Sequence, residues 1–160
     1  MINVKDLEMN SRLPKMFVKP IGFVSSDIKS KPEPGYDWRE VGSRIKVDKE
    51  FSQALAGLEE YSHIIIIYWL HQADAARMAL KVHPRGDKKL PLVGLFASRS
   101  PYRPNPVGQK VVRLLRRRDN ILWVEGLDAI DGTPVIDIKP YIPGYDSVTD
   151  ATTPQWNQEE

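Results

Sequence analysis

Ser62-His63-Ile64-Ile65-Ile66-Ile67-Tyr68-Trp69-Leu70 is continuously apolar from Ile64 onward and rich in β-branched side chains. Four consecutive isoleucines favour pleated backbone, and the lack of alternation implies a strand covered on both faces. The stretch is far too short to cross a bilayer. It therefore reads as a central strand, and it delivers His71 and Gln72 to its end, where a rigid scaffold passes into loops that carry function.

Shorter strands surround it. Upstream, Phe17 to Val24 has strand composition, with Pro20 and Gly22 marking an edge or a bend. Ser25 to Asp37 is a long exposed loop whose Lys29, Lys31 and Glu33 are candidates to line a site. Val41 to Val47 alternates as a half-buried strand does, and Phe51 to Leu58 has the spacing of short helical turns ended by Gly57. Downstream, Asp74 to Lys81 suits one or two helical turns, and His83 to Lys89 is a basic loop. Val93 to Ala97, Val107 to Leu115, Ile121 to Glu125 and Val135 to Tyr141 read as strands. Arg116 to Asn120 forms a basic hairpin turn, and Asp131-Gly132-Thr133-Pro134 a second turn. Short strands at near-regular spacing with scattered helical turns predict a mainly β chain, a single small barrel of mostly antiparallel strands. Residues 1–14 are expected to be an N-terminal arm, 15–147 the barrel domain, and 148–160 a polar tail.

Composition narrows the class. A chain of 160 residues with 41% hydrophobic content buries one core. The absence of cysteine removes disulfides, thiolate nucleophiles and cysteine-held metals, and it fits a reducing cytoplasm. The start, from Met1 to Arg12, has no sustained apolar run, so no secretory signal is expected, and no membrane association either. A net charge of +2 is too small to argue nucleic-acid binding by itself.

Arg99-Ser100-Pro101-Tyr102-Arg103-Pro104-Asn105-Pro106-Val107-Gly108 is the most constrained loop. Three prolines fix their own φ and push the residues before them out of the helical region, so the arginines are held with little backbone freedom. Two readings are open here: a preorganised grip on a carboxylate or phosphate, and a proline-rich turn whose arginines keep it soluble. With no apolar side chain of its own to bury, Arg103 is expected to contribute little to stability.

Several chemistries find no support. There is no dinucleotide-binding or P-loop glycine pattern, and His63, His71 and His83 have neither a zinc-helix nor a zinc-finger spacing. Ser62-His63 and Ser98 leave a serine nucleophile open, but no serine stands in a G-x-S-x-G elbow. Asp128, Asp131 and Asp137 invite a metal, although Asp131-Gly132 is ordinary turn chemistry. No metal site is expected. Asp128, at a strand end, is the best functional candidate of the three. Lys139 either faces solvent or pairs with a carboxylate such as Asp137.

The stretch Leu58 to Ile64, the arginine loop with Gly94 to Ser98 before it, and Gly126 to Tyr141 together resemble the TsaA-like (TrmO) family over roughly Phe17 to Tyr145. The patterns are R-S-P-x-R-P-N-P-[IV]-G and L-D-x-x-D-G-T-P-V-x-D-I-K-P-Y. The resemblance implies an S-adenosylmethionine-dependent methyltransferase on a small β-barrel, working as a homodimer. The implied reaction places a methyl on N6 of threonylcarbamoyl-adenosine beside the tRNA anticodon. Bacterial members carry a further C-terminal domain that this sequence is not expected to include.

By the same resemblance the cofactor lies among Lys31, Pro32, Glu33, His71, Gln72, Arg99, Leu127, Asp128, Ala129, Ile130 and Asp131. Arg103 and Tyr102 face the nucleotide. His71, Asp128 and Tyr102 are the candidate bases, because an acylated N6 is a poor nucleophile until its proton leaves. Arg113, Arg116, Arg117, Arg118 and Lys139, with Lys88 and Lys89, are candidates for RNA phosphates, with a solvated basic hairpin as the alternative. The partner expected is tRNA, not DNA. A methyltransferase of a small molecule and a noncatalytic RNA-binding β-module remain as other readings.

Overall fold

The computed structural model describes residues 16–157. The expected arm, residues 1–14, lies outside the described residues, as do 158–160 of the expected tail. Six strands close a barrel: β1 (Gly22–Ser25), β2 (Gly42–Val47), β3 (His63–Trp69), β6 (Val107–Arg118), β7 (Ile121–Glu125) and β8 (Pro134–Pro140). Their order around the barrel is β1-β2-β7-β6-β3-β8, every pairing is antiparallel, and β4 (Lys81–Val82) and β5 (Val93–Gly94) form a separate two-stranded sheet.

Period-2 alternation fills the barrel. Ser43, Ile45 and Val47 of β2, Leu122 and Val124 of β7, and Ile64, Ile66 and Tyr68 of β3 point inward, joined by Val112 and Val135. Each fully buried Ile, Leu or Val side chain stabilises the fold by roughly 1.5–3 kcal/mol. On the outer side of β3, Ile65 is also buried, which explains why this run lacks alternation.

Strand β6 bends to serve two partners. Its first half, to Arg113, pairs with β3, and the second half, from Arg113, pairs with β7. A register shift between Leu114 and Arg116 leaves Leu115 half exposed, as expected of a bulge that turns a barrel corner.

Several sequence expectations are corrected. Phe17 to Val24 is not one strand: Phe17 is almost fully exposed and pairing begins only at Gly22, beyond Pro20, which lacks a ladder donor. Val93 to Ala97 is a strand for two residues and then a 3-10 turn, Leu95–Ala97. Asp74 to Lys81 holds a single 3-10 turn, Ala75–Arg77, started by the Asp74 carboxylate accepting from Ala76 N–H. Arg116 to Arg118 belong to β6, so the hairpin turn is only Asp119-Asn120, with Asp119 at φ 53°. Gly57 separates two 3-10 helices, Lys49–Leu55 and Leu58–Glu60, rather than ending them.

The connections β1–β2, β3–β4, β5–β6 and β7–β8 gather at one end of the barrel, and that end carries the site.

Candidate functional site

A cleft of about 350 Å³ opens there, within the size range of small-molecule sites. Behind its lining lies the buried Tyr68. The end of β3 turns this ring inward onto Gly108, where an added Cβ would fall within the tyrosine ring. Only glycine leaves room. The phenol then donates a 2.6 Å hydrogen bond to Asp128 Oδ1.

Alternation beyond β7 explains how Asp128 is presented. Gly126, at φ 88°, turns the chain; Leu127 and Ala129 are buried, and Asp128 and Ile130 between and beyond them line the cleft. Burial, and after it the Asp128 carboxylate, push the Tyr68 phenol well above its usual range, opposed by the positive charge of Arg99. Desolvation and a neighbouring anion both disfavour phenolate. Tyr68 is therefore a neutral donor that fixes one carboxylate oxygen.

One wall comes from the β1–β2 loop. Lys31, Pro32 and Glu33 line it together with Tyr36 and Trp38, whose rings meet edge to face at 5.1 Å. Asp37 faces Arg39 instead, whose guanidinium lowers its carboxyl to about 2. On the far side, Leu70, His71, Gln72 and Ala73 leave β3, and Pro101 and Tyr102 stand beside them. Cations flank Tyr102: Arg77 Cζ lies 4.4 Å and Lys31 Nζ 5.7 Å from its ring centroid.

The sequence-predicted residues divide. Lys31, Pro32, Glu33, His71, Gln72, Tyr102, Asp128, Ala129 and Ile130 all line the cleft. Leu127 does not: fully buried, it belongs to the core. Asp131 holds a loop in place, accepting from Ser26 N–H at 3.0 Å and pairing with Lys29 Nζ at 3.0 Å. These contacts, the Ser26 amide first, hold its carboxyl below its ordinary value. Arg103 turns back on its own loop, donating from Nη1 to Ser98 O at 2.8 Å and Ser100 O at 3.3 Å. Its guanidinium is thus bound within the loop and is not among the residues that line the cleft. Arg99 is exposed and outside the lining, but its charge reaches Tyr68.

The basic residues also separate. Arg116 Cζ lies 4.1 Å from the Trp123 ring centroid. Arg117 is committed to Glu59 at 3.0 Å, and Arg113 stands 3.9 Å from Glu125. Lys139 Nζ is paired with Asp137 at 2.6 Å on β8, which stands across the barrel from β7. Among the described residues no group of three His, Cys, Asp or Glu side chains could hold a metal ion, and no helix is long and apolar enough to cross a membrane.

Sequence reasoning missed Tyr68, Tyr36, Trp38 and Leu70. The signals were a polar-tipped aromatic ending an isoleucine run, and two aromatics stranded in a Pro/Gly-rich loop.

The model of the tRNA-methyltransferase O N-terminal domain family matches residues 24–147. The chain belongs to this family. The match contains every residue that lines the cleft. Among relatives, an S-adenosyl-L-methionine-binding protein of Archaeoglobus fulgidus is 42% identical over 83% of this chain and 94% of its own length. A "Probable S-adenosyl-L-methionine-binding protein" of Methanothermobacter thermautotrophicus is 45% identical over 82% and 93%. The crystal structure of TrmO from P. aeruginosa superposes with a TM-score of 0.72 at 34% identity, over 92% of this chain and 64% of that one. The chain thus spans about two thirds of the solved TrmO structure. The antiparallel barrel expected from strand spacing is the architecture of this tRNA-methyltransferase O domain.

Proposed function

We propose that the chain is an S-adenosylmethionine-dependent methyltransferase acting on N6 of threonylcarbamoyl-adenosine beside the anticodon of a tRNA. The observation that carries this reading is one cleft in which Asp128, held by Tyr68, stands with Glu33, Lys31 and His71 among aromatic walls. A cationic nucleoside with an amino-acid tail asks for carboxylate acceptors at its ribose diol and ammonium, a cation at its carboxylate, and an apolar wall at its adenine. Asp128 and Glu33 provide acceptors. Lys31 provides a cation in the cleft and Arg99 one outside its lining, and Leu70, Ala129, Ile130 and Pro32 provide the wall. Bound there, S-adenosylmethionine supplies an electrophilic methyl group. The S-adenosyl-L-methionine-binding relatives support the same cofactor, and membership of the tRNA-methyltransferase O family supports a tRNA substrate.

The residues of the chain then have two tasks. His71, Asp128 and Tyr102, which all line the cleft, are the candidate bases for the N6 proton, and a positioned base contributes about 10²–10⁴-fold. The cleft walls hold nucleotide and cofactor in line, which avoids the entropy of a chance encounter. The assembly is a cytoplasmic homodimer in this reading. The exposed Leu80, Leu92 and Phe96 of the β4–β5 extension support a covered surface.

Thermal stabilisation by S-adenosylmethionine in the presence of a chelator tests the cofactor. Stabilisation of about 2.7 kcal/mol at a hundredfold excess over Kd is expected. It disappears in Asp128→Ala and persists in Asp137→Ala, whose carboxylate faces Lys139. No stabilisation, a requirement for added divalent ions, or equal losses in the two variants would contradict the reading.

A further inference from the structure

The outer face of β2, β7 and β6 holds a second groove, of about 270 Å³. Arg44 stands opposite Trp123, and Trp123 opposite Arg116, so three adjacent strands place one indole between two arginines. The next row sets Lys46 and Arg118 on either side of Ile121. Ser26, Asp27, Ser43, Arg44 and Trp123 line the groove, with the bulged Leu115 as one edge.

Charge and shape select the occupant. Arg44, Lys46, Arg116 and Arg118 favour a polyanion; of the acidic groups beside them, Asp27 stands at the rim, Glu125 faces Arg113, and Asp131, whose carboxylate feels Arg44, is bound to Ser26 and Lys29. The stacked Arg116–Trp123 pair offers a planar surface suited to the face of a base. A duplex keeps its base faces stacked inside; an unpaired nucleotide does not. Ser26 also donates its N–H to Asp131, next to Ile130 of the cleft, so groove and cleft share a wall. We propose that the Arg44–Trp123–Arg116 row and its groove bind an unpaired nucleotide of the RNA substrate, with its base on the Trp123–Arg116 pair and flanking phosphates on Arg44, Lys46 and Arg118. This rests on the tRNA reading above and names where that RNA lies. Arg117 and Lys139, engaged elsewhere, are not part of it.

The test measures binding of the full chain to an anticodon stem–loop RNA and to a blunt duplex RNA with the same number of phosphates, with S-adenosylmethionine affinity in parallel. Wild type binds the stem–loop more tightly. Trp123→Ala weakens stem–loop binding by about 5- to 100-fold, Trp123→Phe retains most of it, and duplex binding and cofactor affinity stay unchanged. Arg44→Gln with Lys46→Gln, two exposed positions assigned to phosphates, flattens the salt dependence by about 1.4 log units, and decides the matter if Trp123→Ala does not fold. If wild type binds the stem–loop and these variants match it, the RNA lies elsewhere and this proposal fails while the substrate reading stands. Equal losses on stem–loop and duplex would remove the stacked base. Wild type that binds neither RNA overturns the substrate reading and the proposal together.

Discussion

Tyr68 and Asp128, sixty residues apart in sequence, are joined by a 2.6 Å hydrogen bond behind the cleft lining. The bond links the core to the chemistry, because the Tyr68 ring is buried while Asp128 lines the site. Burial and the neighbouring carboxylate raise the phenol above its ordinary value near 10. The folded state therefore holds this proton more tightly than the unfolded state does. Its contribution is fully present below pH 10 and is lost as pH rises further, at up to about 1.4 kcal/mol per pH unit. Denaturant melts across alkaline pH are expected to show a shallower decline for Tyr68→Phe than for wild type. Parallel curves would contradict the placement.

Gly108→Ala is expected to destabilise the fold by about 1–3 kcal/mol through overpacking, since the new methyl meets the buried Tyr68 ring. The same displacement withdraws the phenol from Asp128, so cofactor affinity falls as well. Gly108→Ala with Tyr68→Leu separates the effects: stability returns and affinity does not. Recovery of both would show that the Tyr68 hydroxyl has no part in the site.

Arg103→Ala is expected to cost about 1 kcal/mol, because a partly exposed guanidinium satisfies two carbonyls of its own loop. Arg103→Lys supplies charge without the planar fork that Pro101 and Pro104 hold in place, so single-turnover methyl transfer falls nearly as far as in the alanine variant. Full activity in the lysine variant would show that geometry at this position is immaterial.

Asp131 makes the opposite pH statement. Its carboxyl is held below the ordinary value of 3.8 by the Ser26 amide and then by Lys29. The stabilisation it gives the 26–29 loop is present above that value and is lost as pH falls through the lowered one. A carbon-detected NMR titration of the Asp131 carboxyl should give a midpoint below 3.8, and Asp131→Asn should raise amide exchange at Ser26. A midpoint at or above the ordinary value would dissolve the clamp.

Much of the barrel was legible because β2, β3 and β7 write their burial into alternation or into an unbroken apolar run. The errors fell where tertiary pairing overrides composition. Phe17 and Val18 are strand-forming residues with no neighbour to pair with, and Arg116 to Arg118 carries turn-like charge yet continues β6 because the bulge at Leu115 lets it reach β7. In the site, Asp128 was legible from its position after a strand. Leu127 and Asp131 beside it were not separable by sequence, since a pattern does not say which of several neighbouring positions faces the ligand. The direction of Arg103 was not legible for a related reason: whether a proline-fixed arginine reaches outward or back to its own carbonyls depends on the fold of the loop.

The most direct measurement is incubation of the protein with methyl-deuterated S-adenosylmethionine and tRNA bearing threonylcarbamoyl-adenosine, followed by mass spectrometry of the released nucleosides. The account predicts one labelled methyl on threonylcarbamoyl-adenosine, absent with Asp128→Ala protein. Label on another nucleoside, or none on tRNA although the cofactor binds, would contradict it.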